Sequence, residues 1–262
     1  MPQVLNNTKS IAVERVDEDD SGYNLTLRNA SPVAVFGLAV AVIGENGVCD
    51  LHTFRPISGS FIESNGNREL PTLSFPSSEA GGWGPRMGVC SGTAFRDPES
   101  HTPESPIAPR IVIETVDFEN GTYEGDQAEG VMFEAERVGR GLQRRRIAAL
   151  VEKEIKSEGT VDADWVGVVR ARVSALTEQV EPEMIHALQI RLGPAVGTEE
   201  SIRQDIRNGL IFEKSLFLNQ LKLYVTVSLK KGIPVVSLQT WWETTKGRCD
   251  FFLPQCTNEM TR

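Results

Sequence analysis

The sequence is poorest in the features that hold metals and cross membranes. Histidine occurs only at His52, His101 and His186, and the one C-x-x-H spacing, Cys49 with His52, has no second pair to answer it. Zinc sites need three or four ligands held at short spacing, so no metal centre is expected. The longest apolar run, Val33 to Ile43, is eleven residues and contains Gly37, whereas a membrane-spanning helix needs about 20. No transmembrane segment is expected. Met1-Pro2-Gln3-Val4-Leu5-Asn6-Asn7 has neither a basic stretch nor an apolar core, so no signal peptide is expected in the chain as it stands, a leader replaced by a start Met being compatible with this. The four cysteines, Cys49, Cys90, Cys249 and Cys256, form no C-x-x-C pair. An even set suits disulfides in an extracytoplasmic protein, periplasmic or secreted; reduced thiols in the cytoplasm are the alternative.

What is present is unevenly divided. With 262 residues, 40% of them apolar and 24% charged, the chain is of a size at which one core tends to split in two. Residues 1–130 carry 8 Lys+Arg against 19 Asp+Glu, a net of −11, and residues 131–262 carry 19 against 17, a net of +2, together the −9 of the chain. Ten of the fourteen prolines lie in the first half, and only Pro182 and Pro194 interrupt residues 131–229. Proline breaks helix interiors and punctuates loops between strands, so the first half is expected to be β-rich and the second mostly helical. The fold class is then α+β, with a β-sandwich over 1–130 and a mainly helical unit with an irregular C-terminal tail over 131–262.

The strand signal is a period of two. Ile11 and Val13 precede the acidic turn Asp17-Glu18-Asp19-Asp20-Ser21-Gly22, after which Tyr23, Leu25 and Leu27 alternate with Asn24, Thr26 and Arg28, the pattern of a hairpin with one wet face. Residues 111–118 form a β-branched run leading into Asn120-Gly121, the preferred pair for a type I′ turn, with Tyr123 starting a return strand. Val33 to Ile43, Gly47 to Phe54 and Leu70 to Phe75 complete a set that fits an immunoglobulin-like sandwich. Both faces of Val33 to Ile43 are apolar, so its outer face calls for a cover from the C-terminal helices or a partner, or for a bulge at Gly37.

After Asp126 the spacing becomes helical. Val131, Ala135, Val138, Leu142, Ile147, Val151 and Ile155 mark a first helix, and Trp165, Val169, Val173, Leu176 and Val180 a second that ends before Pro182. Pro182 suits the first turn of a third, which stops at Gly193-Pro194. Thr198 opens a fourth carrying Ile202, Ile206, Leu210 and Leu221, whose last part, Leu223 to Leu229, also alternates like a strand.

Candidate sites are few. Gly88-Val89-Cys90-Ser91-Gly92 has the spacing of a nucleophile elbow, but such an elbow needs a following helix, and Pro98, Pro103, Pro106 and Pro109 follow instead. Asp17-Glu18-Asp19-Asp20 lacks the spaced ligands of a calcium loop. Arg137, Arg140, Arg144, Arg145 and Arg146 form the densest basic region, but a helix turns about 100° per residue and spreads them, and a net −9 opposes nucleic acid. The expected role for this basic helix is docking on the acidic β unit. No cofactor is expected. Residues 76–109, rich in Gly and Pro, carry Trp83, Met87, Cys90 and Phe95. A long segment without periodicity is either a functional loop or an insertion over a sheet edge. If Cys90 ties it to Cys49, Trp83 becomes a contact residue, with Met87 and Phe95 beside it. Trp241-Trp242, read as a strand, would place one ring in the core and one outside. Asn6, Asn24, Asn29 and Asn120 head N-glycosylation sequons.

Leu27-Arg28-Asn29-Ala30-Ser31-Pro32-Val33 resembles the L-x-N-x-S strand end of exported bacterial sandwich domains, and residues 116–126 resemble a V-x-F-x-D/N-G-T-x-x-G-D hairpin in exported bacterial proteins without an assigned activity. The resemblance covers about a third of the chain and implies a compartment and a β-sandwich, not a reaction. The expected function is a non-enzymatic extracytoplasmic interaction or structural protein with a protein or glycan partner. The alternative is a carbohydrate-binding protein or hydrolase that uses the 76–109 loop and its tryptophans.

Overall fold

The computed structural model of the chain describes residues 2–19, 22–44, 49–56, 60–74, 109–157, 163–193, 197–228 and 238–249. Among these, a first compact unit runs to Gly130 and a second begins at Val131. The first contains β1 (Gln3–Asn6), β2 (Ile11–Asp19), β3 (Gly22–Asn29), β4 (Val35–Ile43), β5 (Cys49–Phe54), β6 (Asn67–Glu69), β7 (Arg110–Phe118) and β8 (Tyr123–Gly125). One sheet has the order β1-β7-β4-β5, with β8 on the far half of β7, and the other has the order β2-β3-β6. β1 runs parallel to β7 and the other pairings are antiparallel. Tyr23, Leu25 and Leu27 from the small sheet and Leu38, Val40, Val42, Ile111, Ile113 and Val116 from the large one share a single apolar cluster. The alternation of β3 explains its side of that core: Leu25 and Leu27 are buried, whereas Arg28 is exposed.

β4 carries the doubly apolar run and is buried at every position. Its ladder with β7 shifts between Val35 and Gly37, so Phe36 is the extra residue of a bulge, and Val35 joins Leu38, Val40 and Val42 in the shared core. Ala41 and Ile43 point the other way and cluster with Val112, Leu5 and Leu51.

Two local expectations are corrected, and one strand is added. Leu70 and Leu73 are core residues, yet the strand stops at Glu69 because Pro71 has no N–H to continue the ladder; Leu73 makes a single bridge to Tyr23. The turn after β7 is not type I′, since Gly121 has φ 86° while Asn120 does not enter the positive region. The Gly121 amide donates to Phe118 O and the Phe118 amide to Thr122 O, a longer loop closed by a glycine bulge. β1 had no sequence signal, because Val4 and Leu5 alone give no periodicity.

The second unit is helical: α1 (Gln127–Ser157), which starts in the first unit, then α2 (Ala163–Ser174), α3 (Pro182–Leu192), α4 (Glu199–Ser228) and α5 (Leu238–Cys249). Asp126 caps α1 by accepting the amides of Ala128 and Glu129 at 2.9 and 3.1 Å. Pro182 sits in the first turn of α3, and Gly193 closes it at φ 94°. α2 is shorter than expected: it stops at Ser174, and Lys214 Nζ donates to Leu176 O at 3.2 Å beyond its end. α4 stays helical through Ser228, so the strand-like alternation after Leu223 is overridden; Phe217, Leu221 and Tyr224 keep one helical stripe on the core. The tail expected to be irregular holds α5.

α1 and α4 are the two long helices, 31 and 30 residues. They share one cluster built on Val131, Ala135, Ile202, Ile206 and Leu210, and a second on Ile147, Val151, Phe217 and Leu221. The early residues of one therefore meet the early residues of the other, and the helices run in the same direction. Between the clusters their backbones touch. A Cβ on Gly139 would lie 2.0 Å from Ile206 O, and one on Gly209 would lie 2.1 Å from Glu136 O.

Candidate functional site

Beside this glycine contact lies the basic stretch of α1. Arg144 donates from Nε and Nη2 to the two carboxylate oxygens of Glu213 on α4, each at 2.8 Å, the forked pairing that a guanidinium favours. Arg140 Nε reaches Glu213 Oε2 at 3.4 Å, and its guanidinium lies 4.5 Å from the Phe212 ring centroid. Burial pulls the Arg140 pKa down, and Glu213 opposes that fall. Arg137 pairs with Glu134, and Arg191 of α3 reaches the same carboxylate. Arg146 donates to Thr177 O at 3.3 Å, while Arg145 is exposed. Arg137, Arg140 and Arg144 are thus committed to ion pairs inside the helical unit.

The polar groups of the β unit act as a clasp. Glu114 is the extra residue where the β4–β7 ladder shifts, between the pairs Ala39–Thr115 and Val40–Ile113, and it is 3% exposed. Its Oε2 accepts from Asn7 Nδ2 at 2.9 Å, and its Oε1 has no hydrogen-bond partner among the described residues. Burial raises its pKa, the Asn7 bond opposes the rise, and Asp126 adds to it. Glu124 on β8 behaves oppositely. Burial would raise it, but the Ser10 hydroxyl and the amides of Ser10 and Lys9 donate to its carboxylate and, with the Lys9 charge, hold it low. The two carboxyls tie the β1–β2 connection to β7 and β8.

A groove of about 310 Å³ opens between α2 and α4. Val166, Leu221 and Val225 supply apolar surface, and Gly167, Arg170, Lys222 and Thr226 complete the lining. Gly167 and Thr226 are exposed, as are both cations. A Cβ added at Gly167 would meet nothing within 4 Å, so this glycine leaves space that a larger residue would occupy. Leu223, beside Lys222 on α4, is 64% exposed.

The residues singled out from the sequence fall elsewhere. Trp241 and Trp242 lie on α5, not on a strand. Trp242 is 4% exposed and meets Phe217 edge-on at 6.2 Å, and Trp241 is half-buried between Phe217 and Tyr224. Both rings pack against the second helical cluster. Trp83, Met87, Cys90, Phe95, Cys256 and the whole glycine-flanked cysteine motif lie outside the described residues, as does the side chain of Cys249. Cys49 lies at the start of β5, and no disulfide pair falls among the described residues. His52 faces Asp50 at 3.4 Å and stacks on Phe54; His186 is exposed on α3. Among the described residues no three potential metal ligands gather. At the acidic hairpin, Asp17 pairs with Arg15 at 2.6 Å, and Asp19 accepts from Gly22 N and Asn24 Nδ2.

Two sequons serve the fold. Asn29 is fully buried, and its Nδ2 donates to Val33 O and Glu63 O while its Oδ1 accepts from Ser31 N. The Asn-x-Ser at this strand end thus shapes the corner into β4. Asn6 Nδ2 donates to Ile11 O at 2.6 Å. The groove was missed from the sequence because its residues come from helices more than fifty positions apart. A glycine inside α2 and the acid-free stretch from Lys214 to Trp242 were the available signals.

No protein-family model, curated protein or solved structure matches this chain.

Proposed function

We propose that this chain is a non-enzymatic extracytoplasmic interaction protein in which the β unit is a frame and the helical unit carries the contact surface. The observation that carries the reading is the α2–α4 groove, where apolar side chains and two exposed cations line one opening. Pockets of this size lie near the lower end of the roughly 300–1,000 Å³ range that suits a ligand or a few inserted side chains. The buried ion pairs and the glycine contact of α1 and α4 support it, since a contact surface gains from a rigid base. For the β unit we infer an immunoglobulin-like arrangement; two sheets around one core, with antiparallel pairing apart from the edge strand β1, support it.

The compartment rests on the cysteines. An even set of four cysteines suits disulfides and an oxidising environment. Titrating thiols on denatured, unreduced protein is expected to find fewer than the four cysteines present; four reactive thiols would end the extracytoplasmic reading. The contact function is tested by affinity purification of the intact chain from its native host. A partner recovered with the wild type and lost with Gly167→Phe supports the groove. Recovery of the same partner by both, or of none by either, contradicts it.

A further inference from the structure

The pairing of charges on α2, α3 and α4 says what the groove would accept. These helices carry seven cations: Arg170, Arg172, Arg191, Arg203, Arg207, Lys214 and Lys222. Five have an acidic partner: Arg172 with Glu154, Arg191 with Glu134, Arg203 with Glu200, and both Arg207 and Lys214 with Glu178. The two without an ion-pair partner among the described residues are Arg170 and Lys222, and both line the groove. In a chain with 36 acidic residues against 27 basic ones, these two cations line one opening and leave it positively charged. The sequence around Lys222 strengthens it, since Lys214 to Trp242 contains four lysines and no Asp or Glu.

The occupant must satisfy two demands together. Val166, Leu221 and Val225 call for aliphatic side chains, and Arg170 and Lys222 call for carboxylates beside them. The acidic β2–β3 turn of another copy would meet only the second demand, because Asp17 to Gly22 offers no apolar residue. An anionic membrane would meet both, but a flat bilayer fits a concave opening poorly. A helix bearing aliphatic residues one turn apart with flanking acids meets both demands, in the helix-in-groove mode. We propose, resting on the reading of the groove as the contact surface, that the α2–α4 groove docks an acidic amphipathic helical segment of a partner protein. Arg170 and Lys222 pair with its carboxylates, and Val166, Leu221 and Val225 receive its aliphatic side chains.

The test uses the intact chain and a fluorescein-labelled helical peptide of about 16 residues, long enough for stable turns, with leucines on one stripe and glutamates beside it. A second peptide has every Glu replaced by Gln. The Glu peptide is expected to bind and the Gln peptide to bind about tenfold more weakly. The double variant Arg170→Glu/Lys222→Glu, changed only at exposed positions, is expected to remove that preference while unfolding at the wild-type midpoint. Added salt is expected to narrow it. Gly167→Phe is expected to abolish binding of both peptides.

Equal binding of the two peptides, no binding of either, or a preference that survives the double variant overturns the acidic-partner inference. If Gly167→Phe still abolishes peptide binding in the first or third case, the groove stands as a contact surface for a partner of other chemistry. If Gly167→Phe changes nothing, the groove reading falls with it. Binding to phosphatidylglycerol vesicles in preference to the Glu peptide also overturns the inference, in favour of a membrane.

Discussion

The two units treat buried charge in opposite ways. In the helical unit Arg140, Arg144 and Glu213 are each less than a tenth exposed and meet in one network. In the β unit Glu114 is equally buried, but one of its carboxylate oxygens has no partner among the described residues. The first arrangement locks two helices in register. The second leaves a carboxyl whose pKa burial raises. A paired buried charge specifies packing and is costly to break, whereas a half-satisfied one makes local stability depend on pH.

The largest loss is expected at Glu213. Glu213→Ala leaves Arg140 and Arg144 buried without their carboxylate, and we expect a loss of about 3–5 kcal/mol, measured by guanidinium unfolding. A loss below about 1 kcal/mol would mean that the network is solvated and not structural. Next come the glycines. Gly139→Ala or Gly209→Ala forces a Cβ to about 2 Å from a carbonyl oxygen of the facing helix, and we expect about 1–3 kcal/mol of destabilisation from overpacking. Gly141→Ala, where a Cβ meets nothing within 4 Å, is the control and is expected to be neutral or stabilising.

The smallest effect sharpens the β side. The pKa of Glu114 is raised on folding, so the folded state holds this proton more tightly than the unfolded one. Its contribution is complete below the unfolded value of about 4.3 and is lost as pH rises through the higher folded value. Glu124 is shifted down, so its contribution is present above the unfolded value and lost as pH falls through the folded one. In urea midpoints measured across pH, Glu114→Gln is expected to remove the loss on the alkaline side, and Glu124→Gln to remove the loss on the acid side. Parallel profiles for wild type and both variants would contradict these assignments.

Much of the architecture was legible in the sequence, since periodicity reports which face of an element is buried. Proline placement and the change of period near Asp126 divided β from α, and Pro182 and Gly193 marked the ends of α3. What escaped depends on contacts between distant residues. β1 is a strand because β7 offers it an edge, and α2 ends early where Lys214 meets the carbonyl of Leu176. The partner of the α1 arginines was not legible because Glu213 lies 69 positions beyond Arg144. The tryptophan pair read as a possible contact because its helical setting was not visible; on α5 the same two rings become core. The groove is the extreme case, made of two helices that only the fold brings together.

In the proposed function the helical unit carries the contact surface and the β unit does not. Amide chemical-shift mapping of the intact chain during titration with the Glu peptide tests it most directly. Changes are expected to concentrate at Val166, Gly167, Arg170, Lys222 and Val225, with β2, β3 and β8 unmoved. Changes centred on the β strands, or none at saturating peptide, would contradict it.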